Sequence, residues 1–386
     1  MSTCKKARAE ATSFVGSDRL SSLPPEIKGD ILSRLKVEEA VRTSILSSTW
    51  RDAWANMPAI SLRDGDFART KFVMLVDMVL ALYKGTIEEF DISGKRSYHD
   101  EFARWMLMLS RRSPRSVIIK LNSGPSLPRV FQGFKRLTYL SLSIFSFTDR
   151  DIQNLISFCP ELTDLRLTSF EGINCLNIQA PKLEYLCVVG DIEDINLDAP
   201  NLDEAILCLD QKAKSYQSVP VAHNKESNVT SLESLSGIKK LGIIGTFMKG
   251  CILTKLPAVF TRLEDIGFMI NFEDQRQVLT VCSLLQNAPN LKKLLMWSDS
   301  SSTWDQDQAS IQELTLQMQM DHLITACVKC FQGLDYEVEF VGKLLSCAPA
   351  LEELKIEWEG EMARSIVLTK LLALPRVSPR AKIIVT

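Results

Sequence analysis

Apolar residues recur along most of the chain with one spacing: an apolar residue, two others, a second apolar residue, one other, and a third apolar residue. The last two apolar positions lie two residues apart, so on a short strand they point to the same side. A unit of this kind leaves an apolar edge uncovered until the next unit stacks against it. The pattern therefore predicts stacked repeats with a parallel sheet on their concave side. The units begin at Ile87, Leu137, Leu162, Leu183, Leu202, Ile238, Leu263, Leu291 and Leu351.

This spacing is typical of leucine-rich repeats in an irregular form. The best internal match aligns residues 176–186 with residues 195–205, at an offset of 19 residues. Units this short leave no room for a long convex helix, whereas the longer units that contain 145–159 and 275–287 do. We therefore predict an α/β solenoid, an irregular leucine-rich repeat array over 58–297.

The residues ahead of the repeats carry a different, helical pattern. Pro25 suits the first turn of a helix, because its missing N–H has no partner there in any case. Ile27, Ile31 and Leu35 follow at intervals of four residues, which places them on one face of that helix. This pattern predicts a short helix with an apolar stripe.

Two more short helices are predicted within the same region of the sequence. One lies around 38–46, and another begins at Ser47 and carries Trp50 and Trp54 one turn apart. Three such helices bury too little of their own surface to be stable alone. We therefore expect a second surface, either the rest of this chain or another protein, to cover the remaining apolar side chains.

Composition and apolar content limit which partners and which cellular locations we expect. The chain has 386 residues, and its 45 Lys and Arg against 47 Asp and Glu give a net charge of −2. Because the positive and negative charges are nearly equal in number, the chain has no broad cationic field that could bind nucleic acid. The N-terminus lacks the apolar segment of a secretory signal, and the densest apolar run, 72–83, is shorter than the ~20 residues that span a bilayer. We expect an intracellular protein of the nucleus, the cytoplasm or both, with no membrane partner.

Residues that carry out catalysis or bind metals are sparse in this sequence. Cys327 and Cys330 form a lone C-x-x-C pair with His322 upstream, which has a zinc or redox interpretation. The repeat spacing instead predicts that 323–331 is extended, and residues three apart on a strand face opposite sides. A tetrahedral zinc site also needs four ligands. We expect no metal, no cofactor and no catalytic residue.

Two sets of motifs resemble known families. The first, in the order and spacing of an F-box, comprises 18–21, 23–27, 31–35, 40–47 and 50–54. The F-box is the adaptor-binding motif of ubiquitin ligase receptors. The second set resembles the FBD domain that plants place behind an F-box and leucine-rich repeats; it comprises 330–333, 337–340, 344–345, 348–349, 351–354 and 378–379.

The resemblance implies a plant F-box/FBD/leucine-rich repeat protein, which is a receptor in a Skp–cullin–F-box ubiquitin ligase. The expected partners are a Skp-type adaptor, the cullin and RING subunits that the adaptor brings, and a protein substrate on the repeats. The expected domains are a disordered tail 1–17, an F-box 18–57, repeats 58–297, a polar loop 298–310, and an FBD domain with final repeats 311–386.

The candidate adaptor contacts are the apolar residues of the F-box, although some of them must also form its inner core or cap the array. They are Leu20, Leu23, Pro24, Ile27, Ile31, Leu32, Leu35, Val41, Leu46, Trp50 and Trp54.

Two other functions remain open at this point. Lys36 and Thr49 depart from the usual F-box pattern, which motivates a scaffold or decoy that assembles no ligase. A small-ligand sensor would need a cluster of basic side chains on the concave strands. The positions between the leucines, such as 138–139, 163–164 and 203–204, are instead polar or acidic, so we expect a protein substrate and no anionic ligand.

Overall fold

The fold is given by a computed structural model, which describes residues 19–43, 48–65, 67–123, 131, 133–190, 192, 194–209, 235–245, 259–299, 319–360 and 364–386. Its strands are β1 Ala59–Arg63, β2 Glu89–Ser97, β3 Ser116–Ser123, β4 Tyr139–Ser146, β5 Asp164–Glu171, β6 Cys175–Gln179, β7 Tyr185–Val189, β8 Asp194–Asp198, β9 Glu204–Leu209, β10 Lys240–Gly245, β11 Asp265–Ile270, β12 Lys293–Ser298, β13 Thr325–Phe331, β14 Glu353–Trp358 and β15 Lys382–Val385. Its α-helices are α1 Pro25–Leu32, α2 Val37–Arg42, α3 Arg69–Leu82, α4 His99–Ser110, α5 Asp149–Ser157, α6 Gln275–Gln286, α7 Asp335–Cys347 and α8 Arg364–Leu372.

One parallel sheet runs through the described part of the chain. Its 13 strands are ordered β1-β2-β3-β4-β5-β7-β9-β10-β11-β12-β13-β14-β15, which is their order along the chain with β6 and β8 left out. Helices α3 to α8 lie in the connections between strands. This architecture confirms the predicted α/β solenoid, including helices in the two longer units that were expected to hold them.

The apolar spacing read from the sequence defines the core of the array. All three apolar positions of every predicted unit are buried. In β7, for example, Leu186 and Val188 face inward while Tyr185, Cys187 and Val189 stay half-exposed on the concave side. Each strand therefore contributes one buried face and one accessible face.

The internal repeat appears in the structure as a second, smaller sheet. Strands β6 and β8 pair in parallel, with Cys175 opposite Asp194, and β7 and β9 pair with Tyr185 opposite Glu204. In both strand pairs, the residues that lie opposite each other are 19 residues apart in the sequence, which is the offset of the internal match. Two consecutive short units thus use a second strand where longer units place a helix.

The N-terminal region forms α1, α2 and a short 3-10 helix, Ala53–Asn56. The first two confirm the predicted helices, with Pro25 in the first turn of α1. The predicted start of the third helix, Ser47, lies outside the described residues; over 48–54 the prediction is wrong, because Trp50 lies in a turn and only Trp54 is helical. The Thr49 carbonyl accepts a hydrogen bond from the buried Lys28 ammonium at 3.3 Å, which supports a turn here.

The sheet begins directly after this region and continues through the last block of the sequence. Strands β1 and β3, which the spacing did not identify, pair with β2, and β13 to β15 extend the sheet to Val385. Among the described residues, no helix is both long and apolar enough to cross a membrane.

Close packing of α1 on the 3-10 helix leads to a first prediction. A Cβ atom added at Gly29 would lie 2.4 Å from the carbonyl oxygen of Asn56, which is far inside van der Waals contact. Gly29→Ala should therefore lower the free energy of unfolding by about 1–3 kcal/mol, although alanine favours a helix more than glycine does. Urea denaturation measures the change. The control is Gly237→Ala, where nothing lies within 4 Å of an added Cβ; equal effects of the two substitutions would contradict the packing argument.

Candidate functional site

An apolar face of the N-terminal helices remains open to solvent. Leu20, Ile27, Ile31 and Leu35 keep 59%, 44%, 40% and 42% of their surface exposed, and Pro24 beside them is exposed as well. Ile27, Ile31 and Leu35 lie at intervals of four residues along α1 and just beyond its end. They form the apolar stripe that the sequence predicted. We call these five residues the exposed apolar face.

The other predicted adaptor contacts are turned toward the chain's own core. Leu32 and Trp54 keep only 2% and 8% of their surface exposed. Leu23, Val41 and Trp50 are half-buried, and the last two pack against the core. In this conformation Leu32 and Trp54 serve the inner core that a small helical unit requires. Leu46 lies outside the described residues.

Lys28 fixes the segments that surround the exposed apolar face. Its side chain is buried, and its ammonium donates to the carbonyl of Ser21 at 2.8 Å and to that of Thr49 at 3.3 Å. The same ammonium lies 5.6 Å from the centre of the Trp50 ring, within range of a cation–π interaction. Lys28 thus ties the segment ahead of α1 to the turn that carries Trp50.

Replacing Lys28 by methionine should lower the free energy of unfolding by about 1–3 kcal/mol, because two carbonyl groups lose a charged donor while the aliphatic stem is kept. Thermal and urea unfolding, followed by Trp fluorescence, measure the loss. The matched control is Lys36→Met, since Lys36 is exposed ahead of α2 and makes no side-chain cap. A Lys28 effect no larger than that of the control would show that the buried ammonium holds nothing in place.

The helical unit is joined rigidly to the first repeat. The Tyr83 hydroxyl, at the end of α3, donates to the carbonyl of Met57, and burial raises the pKa of Tyr83 to about 12. Next to it, the Lys84 backbone N–H donates to the carbonyl of Ala55 at 2.9 Å, and its ammonium pairs with Asp52 at 2.7 Å. These contacts hold the exposed apolar face in one orientation relative to the array.

The concave side of the array differs from its predicted polar or acidic character. Over β7 to β12 it presents half-exposed apolar side chains, which we call the apolar strip: Val189, Ile206, Ile244, Met269, Leu295 and Trp297. Cys187 and Cys208 are half-exposed on the same side. The positions used for the prediction are the residue before each strand and the first residue of the strand, whereas the strip is formed by residues further along the strands.

An arginine that the sequence reasoning missed lies beside this strip. The guanidinium of Arg166, in β5, lies 5.3 Å from the ring centre of Tyr139 and 4.5 Å from that of Tyr185. It donates through Nε and Nη2 to Asp164 at 3.0 and 3.1 Å, and these hydrogen bonds raise its pKa. Arg166 lies between the second and third apolar residues of its repeat unit. Inspecting that position in the sequence of each unit would have identified it.

The C-x-x-C pair lies in β13, which confirms that this segment is extended. A bulge follows Val328, and Cys330 has a φ of 55°, so simple alternation does not hold between the two cysteines. Burial raises the pKa of both thiols, as do the carboxylates near them. Because the thiolate is the reactive form, a raised pKa lowers the fraction of each thiol that is ionised near neutral pH. Within the described ranges, no three His, Cys, Asp or Glu side chains are placed to hold a metal ion.

A shallow cavity of 310 Å³ lies at the N-terminal ends of β10 to β13. Two of its cations, Lys239 and Arg262, pair with Asp203 at 2.7 and 3.2 Å, and a third, Lys292, pairs with Glu264 at 3.1 Å. These exposed pairs compensate most of the charge. The cavity therefore offers little to an anionic ligand.

Comparison with known families and proteins adds to this geometry. A family model of the F-box domain matches residues 20–60, and one described as FBD-associated F-box protein At5g56370, LRR repeats, matches residues 88–296. The chain is 28% identical to F-box/FBD/LRR-repeat protein At1g13570 of Arabidopsis thaliana, over 95% of this chain and 98% of the relative. It is 22% identical to F-box/LRR-repeat protein 13 of the same plant, over 99% of this chain and 98% of the relative.

Proposed function

The chain belongs to the plant family of FBD-associated F-box proteins with leucine-rich repeats, and on that premise we propose that it is the substrate-recognition subunit of a Skp–cullin–F-box ubiquitin ligase. Its F-box binds a Skp-type adaptor, which brings the cullin and RING subunits, and its repeats hold a protein target. The chain itself performs no chemistry and works inside the cell, in the nucleus, the cytoplasm or both.

The observation that carries this proposal is the exposed apolar face. On α1, Leu32 is almost wholly covered by the chain, whereas Ile27 and Ile31 on the same helix keep 44% and 40% of their surface exposed. An eight-residue helix with apolar side chains on both its inner and outer sides is expected where a second polypeptide covers the outer side. The described repeats of this chain do not cover it.

The proposed role requires a rigid connection more than a catalytic group. A receptor accelerates ubiquitin transfer by raising the effective concentration of the target near the charged conjugating enzyme. That gain is lost when the connection between the two binding surfaces cannot hold them within reach of each other. The hydrogen bonds of Tyr83 and Lys84 to the F-box segment support such a connection.

Co-purification with a plant Skp-type adaptor tests the proposal. The full chain and the adaptor, expressed together, should elute as one complex in size-exclusion chromatography. The contact should be near the standard interface area of about 1,600 Å². Cullin should be recovered with the chain only when the adaptor is present.

A chain that elutes alone in the presence of several adaptor paralogues would overturn the proposal. If its N-terminal helices stay protected from protease in that experiment, the F-box acts as a cap on the array. The scaffold or decoy suggested by Lys36 and Thr49 would then be the better description. Recovery of cullin through the adaptor excludes that alternative.

A further inference from the structure

The concave side of the array indicates which class of target the repeats bind, an inference that rests on the proposed function. The apolar strip extends over five neighbouring strands, β7, β9, β10, β11 and β12. With strands about 4.8 Å apart, the strip is about 19 Å long and two side-chain rows wide. All six of its side chains are half-exposed, so apolar surface is available to a partner along its full length.

A notch interrupts the strip at its centre. Gly242 of β10 and Gly267 of β11 are direct partners in the sheet register, so backbone alone forms the floor there. A Cβ at Gly242 would meet Ile206 at 3.5 Å, and one at Gly267 would meet the Trp297 ring at 3.4 Å. Both are ordinary contacts, and neither glycine has a positive φ. Packing and backbone conformation therefore do not require glycine, which weakens a strand interior and is common where a ligand approaches closely.

The two ends of the strip carry cationic donors. At one end, Asp164 occupies Nε and Nη2 of Arg166, and the Nη1 group has no partner among the described residues. At the other end, Lys329 and Lys355 both pair with Glu357, at 3.6 and 2.8 Å, and Glu353 also interacts electrostatically with Lys355. Lys329 also lies 6.0 Å from the ring centre of Trp297. Carboxylates of the chain offset much of this charge, so each end offers an acidic group of a partner a hydrogen-bond donor: Nη1 of Arg166 at one end and the Lys329 ammonium, 3.6 Å from Glu357, at the other.

The row that borders the strip on its other side adds no net charge. It runs Glu204, Lys240, Asp265, Lys293 along β9 to β12, in register and with alternating sign. Glu204 pairs with Lys240 at 3.2 Å. The charge preference thus comes from the two ends of the strip.

The size of the strip selects a short segment as the occupant. A stable complex of two folded proteins buries about 800 Å² on each partner, several times the area of a strip about 19 Å by 10 Å. Arg166 and Lys329 lie six strand spacings apart in the sheet order, about 29 Å, which an extended segment of about nine residues spans.

We propose that the notch receives one large apolar side chain from a short, extended segment of the protein target, and that this segment carries acidic residues toward both ends. The acidic group bound by Arg166 lies about five residues from the apolar anchor. The one bound by Lys329 lies about four residues from the anchor on the other side. The strip covers the apolar neighbours of the anchor.

Selection from a phage-displayed library of random 12-residue peptides, on the immobilised full chain, tests this proposal. Enriched peptides should carry Leu, Phe or Trp near the centre, with Asp or Glu at the stated distances. Labelled forms of these peptides are then titrated by fluorescence anisotropy. Gly242→Leu, which fills the notch, should weaken binding by about tenfold or more, as expected for loss of an anchor. The matched control Gly237→Leu, in a turn with open space around it, should leave binding unchanged.

The acidic contact is tested by a double-mutant cycle. Arg166→Gln and an Asp-to-Asn change in the peptide should each weaken binding, and together they should cost little more than either alone. Failure to enrich peptides, a consensus without acidic residues, or equal affinity for the wild type and Gly242→Leu would each overturn the proposal. The proposed adaptor site is the exposed apolar face of the F-box and not the apolar strip, so co-elution with the adaptor tests the proposed function separately.

Discussion

Adaptor binding will be lost when Ile27 and Ile31 are replaced together by glutamate and lysine, while the fold stays intact. Ile27 and Ile31 keep 44% and 40% of their surface exposed on α1, so the charged ends of glutamate and lysine reach solvent in the free chain. Glutamate near the start of a helix and lysine near its end also suit the helix dipole, and the pair at i and i+4 attract each other. In the complex, however, two charges would lie in an apolar interface. Each replaced isoleucine should cost about 2 kcal/mol or more of binding free energy, so affinity for the adaptor should fall by a factor of several hundred or more.

Isothermal titration calorimetry with the purified adaptor measures this loss, and circular dichroism verifies the fold. The matched control is Met74→Glu with Met78→Lys on α3, where both methionines are exposed and four residues apart, at 70% and 38% exposure. That double variant should bind the adaptor as the wild type does. Undiminished affinity of the Ile27/Ile31 variant would show that the exposed apolar face is not the adaptor site.

Helical periodicity predicted the stripe of this site but not the depth of each residue in it. Ile31 and Leu32 are neighbours of the same chemistry, yet one is exposed and the other buried. Which side of α1 meets the core depends on Gly29, whose missing side chain lets the helix approach Asn56. That contact comes from the tertiary structure, and spacing along one helix does not encode it.

The repeats could be predicted more completely than the segments between them. Units whose apolar positions are leucines stood out, because stacking demands a buried branched side chain at each of them. The first strand was missed because its unit uses Met57, Ile60 and Leu62 directly after the helical region. The concave face was misjudged because the register of neighbouring strands, and with it the pairing of Gly242 and Gly267, follows from the assembled sheet.

A buried carboxylate connects the repeats to the final block of the chain. Glu337 on α7 is fully buried and accepts hydrogen bonds from three donors, the Ser298 hydroxyl at the end of β12 and two backbone N–H groups. The Ser298 bond is 2.5 Å long. The backbone donors are Gln332 at 3.1 Å and Leu334 at 2.9 Å. One side chain thus joins β12, the segment after β13 and the start of α7.

Glu337→Ala should therefore lower the free energy of unfolding by about 3–5 kcal/mol, since three buried donors lose a charged acceptor at about 1–3 kcal/mol each and partial relaxation recovers some of it. Glu337→Gln, which keeps one acceptor oxygen, should lose less. Urea denaturation measures both. Glu339→Ala is the matched control on the same helix, because Glu339 is exposed and its one ion pair within the described part of the chain is with Lys343 at 2.9 Å. Such a pair contributes about 0.5 kcal/mol or less.

Which part of the chain Glu337→Ala destabilises gives this prediction a second measurement. The F-box makes its contacts with the first repeat through Tyr83 and Lys84, far along the chain from Glu337. The Glu337→Ala protein should therefore still bind the adaptor, while limited proteolysis cuts its last block, after Ser298, much faster than in the wild type. A loss below 1 kcal/mol with unchanged proteolysis would mean that the three donors find other acceptors, and the carboxylate would then not be what joins α7 to the array.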